Sequence, residues 1–80
     1  MLTIIFYTKE NCSLCDDAKA ILQLLQSDYT FAIEERDIYT KDEWLEEYQL
    51  VIPFVQINDI GIDCEQMSIK ALEKALKMYL

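Results

Sequence analysis

Cys12 and Cys15 stand three positions apart in Cys12-Ser13-Leu14-Cys15, straight after an apolar run and a short polar turn. If a helix begins at the first of them, positions i and i+3 share a face, so the two sulfurs can meet and close a disulfide. The first turn of such a helix offers unpartnered N–H groups and the positive end of the helix dipole, and both favour a thiolate at Cys12. The chain has a third thiol, Cys64, and no histidine. Serine–histidine and cysteine–histidine catalysis and histidine metal sites are thereby excluded. A zinc or iron–sulfur centre on the three cysteines remains a competing reading. It needs a fourth ligand from a carboxylate, water or another subunit, because no second Cys-x-x-Cys completes a tetrahedron.

The elements that must position this pair follow from hydrophobic periodicity. Residues 2–7 form an apolar run rich in β-branched and aromatic types, the pattern of a strand buried on both faces at the centre of a sheet. From Ser13 to about Gln26, the residues Leu14, Ala18, Ile21, Leu22 and Leu25 repeat at three and four and define a helical stripe. Asn11 is the expected N-cap, with Asp16 and Asp17 in the first turns, where carboxylates suit the dipole. In residues 29–38, Phe31 and Ile33 alternate with Thr30, Ala32 and Glu34, and the alternation fades across Glu35, Arg36 and Asp37, as in an edge strand.

Thr40 and Glu43 read as a capping box for a short helix with Trp44, Leu45 and Tyr48 on its buried side. Pro53 precedes a short strand, Phe54-Val55-Gln56-Ile57, which Asn58-Asp59 turns into Ile60-Gly61-Ile62. Ser68 is the expected N-cap of a last helix with Ile69, Leu72, Leu76 and Tyr79 on its stripe and Met67 stapled to Leu72. The order is βαβαββα over a single domain, residues 1–80. It predicts an α/β fold with a four-stranded mixed sheet, a right-handed parallel crossover and helices on both faces. Cys12 then follows the carboxyl end of a central strand, where open α/β sheets keep their sites.

An apolar content of 52% in 80 residues supports a core without staples, and one Gly and one Pro argue against linkers and disorder. The formal charge of −8 repels phosphate backbones and anionic lipid surfaces, so neither nucleic acid nor a membrane is an expected partner. Met1-Leu2-Thr3-Ile4-Ile5-Phe6 does not read as a signal peptide and is too short to span a bilayer. A cytoplasmic protein is the expectation, and there an odd number of cysteines argues against a structural disulfide framework.

Strand, Tyr7-Thr8-Lys9, Cys-x-x-Cys, helix, short helix and an Ile-Pro before a hairpin resemble the glutaredoxin branch of the thioredoxin fold, over nearly the whole chain. Within it, Cys12-Ser13-Leu14-Cys15-Asp16 is most similar to the short glutaredoxin-like proteins with a Cys-x-Leu-Cys-Asp/Glu motif. The resemblance implies a thiol–disulfide oxidoreductase in which Cys12 thiolate attacks a disulfide and Cys15 resolves the mixed disulfide. It also implies that Pro53 is a cis-proline facing the cysteines. Ile52 then offers backbone N–H and C=O groups to an extended substrate, and Tyr7 and Lys9 complete the substrate-binding candidates, Lys9 by stabilising the thiolate.

The segment Gly61-Ile62-Asp63-Cys64-Glu65 lacks the second glycine of the usual glutathione-binding turn. With glutathione itself anionic, the charge of −8 disfavours it as reductant, and no tightly bound cofactor is expected. Glu10, Asp16 and Asp17 form an acidic collar around the pair. One carboxylate ~7 Å away at an effective dielectric of ~40 disfavours a thiolate by about 1 kcal/mol, which opposes Lys9 and the dipole. The Cys12 thiol should therefore behave more like thioredoxin's than like that of a strongly oxidising redoxin. The expected partners are a disulfide-containing protein or small thiol, with glutathione or a reductase as electron donor, and a monomer is expected. Cys64 reads first as a half-buried apolar filler, and as a second resolving thiol or metal ligand in the alternative. A redox-silent interaction module on the same fold is the remaining competing reading.

Overall fold

A computed structural model describes residues 1–80. The strand β1 (Leu2–Thr8) is the axis of a four-stranded sheet with order β2-β1-β3-β4. The helix α1 (Ser13–Leu25) carries the chain over to β2 (Phe31–Asp37), which pairs parallel to β1 from Leu2↔Phe31 to Thr8↔Asp37. A 3₁₀ turn (Ile38–Thr40) and α2 (Asp42–Tyr48) lead to β3 (Phe54–Ile57), antiparallel to β1, and to its hairpin partner β4 (Ile60–Ile62). The last helix is α3 (Ile69–Lys77). This is the mixed sheet that the βαβαββα order predicts, with β2 at an edge.

Strand parity divides the molecule into two layers. Ile4, Phe6, Val55, Ile57 and Ile62 pack against Ala18, Leu22 and Leu25 of α1 and Leu72, Ala75 and Leu76 of α3, forming one continuous core. Tyr7, of opposite parity, faces α2. Its ring stacks on Tyr48 at 3.8 Å and meets Trp44 and Phe54 edge-on, each at 6.1 Å. Arg36 lies over both Tyr7 and Trp44, and its guanidinium donates to the Tyr7 hydroxyl at 3.0 Å.

Local chemistry moves two expected boundaries. Asn11 is not the cap of α1. It takes a left-handed φ of 55°, which its short polar side chain tolerates, and the turn makes Cys12 the N-cap instead. Thr40 does not open α2. Its hydroxyl donates to the Asp37 carbonyl, and the Asp37 carboxylate accepts the Tyr39 N–H, so both serve the 3₁₀ turn and Lys41 precedes the helix without a side-chain cap. Trp44, Leu45 and Tyr48 form the inward side of α2 as expected, half-buried where the other residues of the helix are exposed. Ser68 caps α3 as expected, accepting the Ala71 N–H at 3.1 Å.

Burial, followed by the neighbouring Tyr7 phenol and the charge of Glu47, pushes Tyr48 from the ordinary 10.0 up to about 12, against the opposing pull of Arg36. The folded state thus keeps this proton where the unfolded chain has lost it. The associated stability is full below pH ~10 and is lost as the pH climbs towards about 12. Tyr29 and Tyr79, also raised, act in the same direction. Denaturant midpoints measured from neutral to strongly alkaline pH should fall across this window, and less steeply in Tyr48→Phe.

Candidate functional site

The cysteines sit where β1 ends and α1 begins. Because Asn11 turns the chain, the Cys12 side chain folds back over the first turn, and its Sγ accepts the Cys15 N–H at 3.2 Å. The Cys12 carbonyl accepts the Asp16 N–H at 3.0 Å and starts the helical ladder. The two Cα atoms are 5.2 Å apart and the sulfurs are joined as a disulfide. Cys12 is half-buried, whereas Cys15 is 1% exposed and part of the core. Cys15 thus takes the place on the buried stripe that periodicity assigned to Leu14, which is 62% exposed.

The Ile52-Pro53 peptide bond is cis and Pro53 is buried. Pro53, Leu14 and Cys64 line one cavity of about 180 Å³ with Asp17, Ile21 and Met67. Cys64 is held there by its backbone, since its N–H donates to the Val51 carbonyl at 3.0 Å. The Ile52 N–H is already used. It donates to the Tyr48 carbonyl at 3.1 Å, because the last turn of α2 leaves carbonyls that need donors. The expectation that Ile52 presents both backbone groups to a substrate is corrected accordingly.

A second cavity, of about 420 Å³, opens on the other side of Cys15 between Lys9, Asp16, Glu35 and Asp37. Lys9 is half-buried there and makes no ion pair, while Lys19 on the same wall pairs with Glu35 at 3.2 Å. The acidic collar is thus split, with Asp16 beside Cys15 and Asp17 on the proline side. Tyr7 is 5% exposed, with its ring in the α2 cluster and its hydroxyl engaged by Arg36. Sequence reasoning missed Leu14, Ile21 and Met67 as cavity walls and Glu35 and Asp37 as neighbours of Cys15. The parallel crossover was a usable signal for the last two, since it puts the charged end of β2 beside the end of β1. No group of three or more Cys, Asp or Glu side chains is arranged to hold a metal ion. No helix is long and apolar enough to cross a membrane.

A β2-β1-β3-β4 mixed sheet with a Cys-x-x-Cys disulfide at the start of α1 and a cis-proline before β3 defines a thioredoxin-like protein of the dithiol type. The chain belongs to the family described as Glutaredoxin-like domain (DUF836), whose model matches residues 3–77. Its fold is also that of a solved structure described as a malarial protein, at a TM-score of 0.69 and 14% identity, covering 100% of this chain and 98% of that one. Family membership and the joined cysteines support a redox-type role.

Proposed function

We propose that this chain is a thiol–disulfide oxidoreductase of cell redox homeostasis that reduces disulfides through Cys12 and Cys15. The observation that supports this most is the contrast between the sulfurs: Cys12 Sγ is half-open and receives a backbone N–H, whereas Cys15 is 1% exposed. A hydrogen bond to sulfur and the helix start both favour the thiolate at Cys12, and shielding leaves Cys15 to react only within the molecule. Cys12 thiolate attacks one sulfur of the substrate disulfide, forming a mixed disulfide and expelling the first substrate thiolate. Cys15 then attacks the Cys12 sulfur, expelling the second and closing the Cys12–Cys15 disulfide. Two electrons and two protons from an external donor reopen it.

The walls beside the proline are largely apolar, from Leu14, Ile21, Pro53 and Met67, and suit side chains of a protein substrate. The Ile52 carbonyl remains to accept from its main chain, and Lys9 opposes the carboxylates around Cys15. Glu10, Asp16, Glu35 and Asp37 make this end unfavourable for anionic glutathione, so a reductase is the preferred electron donor. The protein works as a monomer without a bound cofactor, in a reducing compartment such as the cytoplasm.

Turnover of a protein disulfide, measured in parallel with glutathione and with a thioredoxin reductase as donor, tests this reading. Turnover with the reductase exceeding that with glutathione supports it; none with either contradicts it. In Asp16→Asn/Asp17→Asn the Cys12 thiolate, followed by its ultraviolet absorbance, should titrate at lower pH than in wild type. An unchanged titration would refute the role of the collar.

A further inference from the structure

We infer that the groove between β4 and α3 docks an extended acidic segment of a partner protein. Three features of that face point to such an occupant. The first is an open sheet edge. β4 pairs only with β3, which leaves outward-facing main-chain groups along Ile60–Ile62 without a strand partner. The two edges of the sheet differ: β2 presents Glu34, Glu35 and Arg36, charges that discourage strand addition, whereas Ile60-Gly61-Ile62 bears none. The second is the groove itself, about 450 Å³, floored by Ile60, Ile62, Ala71 and Ala75 and rimmed by Met78, which is 66% exposed. Alternate side chains of an added strand can enter it while the main chain pairs with the edge.

The third is charge. Lys70, Lys74 and Lys77 fall at i, i+4 and i+7 on α3 and are all exposed, so three of the chain's seven cations form one stripe beside the groove. Lys74 lines the groove itself. Glu73, Asp59, Asp63 and Glu65 lie near this face and keep their charge, but three of them are oriented by other partners: Glu73 accepts from the Tyr29 hydroxyl, Asp59 from the Tyr79 hydroxyl, and Asp63 from the N–H groups of Glu65 and Gln66, whereas Lys74 is the one charged side chain that lines the groove. On a protein of net charge −8, this is a face that attracts an acidic segment while much of the remaining surface repels it, which fixes where and how that segment lands. Beyond the Ile62 end of the groove the chain continues to Cys64, which lines the separate cavity of Leu14 and Pro53. The surface itself does not depend on the redox chemistry.

The test uses the full chain, labelled with nitrogen-15, and two short acetylated peptides that alternate valine with either glutamate or lysine. The glutamate peptide should shift the amides of Ile60–Ile62 and α3 saturably, and the lysine peptide should not. Lys70→Glu/Lys74→Glu/Lys77→Glu, exposed positions whose variant spectrum verifies folding, should weaken the glutamate peptide by about tenfold or more. The inference is overturned if neither peptide gives saturable shifts, if both act alike, or if the shifts centre on α2 or the cysteine end. It is equally overturned if these amides broaden with protein concentration alone, which would make a second copy the occupant. A redox-dead Cys12→Ser chain should bind the peptide unchanged, so failure of the redox reading leaves this result intact.

Discussion

Cys12→Ser is expected to lower disulfide exchange by roughly 10³-fold or more, while Cys15→Ser keeps the first half of the reaction and stalls there. Serine offers no thiolate near neutral pH, and the remaining Cys15 is 1% exposed inside the core, where a bulky disulfide cannot reach it. In Cys15→Ser the half-open Cys12 still attacks, but the mixed disulfide has no resolving sulfur one turn along the helix. An aromatic disulfide reagent that releases a chromophore distinguishes the two by rate and by mass. Cys15→Ser should retain one adduct on Cys12, and Cys12→Ser should show only slow labelling at Cys64, which is half-buried. Equal rates in the two variants would overturn the assignment of attacking and resolving sulfur.

Phe6→Ala should cost about 3–5 kcal/mol, a large fraction of the stability of a domain this size, for which ~4–12 kcal/mol is ordinary. Phe6 is 1% exposed in the central strand, paired with Val55 across the sheet and surrounded by residues of α1 and α3. Its removal leaves a cavity between rigid elements that cannot close on it. The urea midpoint reports the loss, and an unchanged slope shows that the same surface is still exposed on unfolding. A loss under about 1 kcal/mol would mean that the two layers do not meet at β1 as described. The same substitution weakens the platform from which the chain turns at Asn11 into Cys12.

Much of this architecture was legible in the residues because its signals are periodic. The continuous apolarity of β1 marked a central strand, the stripe from Ala18 to Leu25 marked α1, and Asn58-Asp59 between two short apolar runs marked the final hairpin. What escaped depends on tertiary context. A sulfur is an unusual cap, so Asn11 was the natural choice, and only the left-handed turn at that residue makes Cys12 the acceptor. Leu14 shares the apolar spacing of α1, but the helix is rotated so that Cys15 faces the core and Leu14 becomes a wall of the proline cavity. The commitment of the Ile52 N–H to Tyr48 was invisible because it depends on how α2 ends, not on which residues precede the proline.

Cys12 and Cys15 are expected to form a reversible two-electron couple. The most direct measurement equilibrates the protein across dithiol redox buffers and counts alkylated thiols by mass at each potential. Two thiols should appear and vanish together, with a tenfold change in the reduced-to-oxidised ratio for each ~30 mV, while Cys64 remains alkylatable throughout. A pair that never closes, or a disulfide formed by Cys64 in place of Cys15, would contradict it.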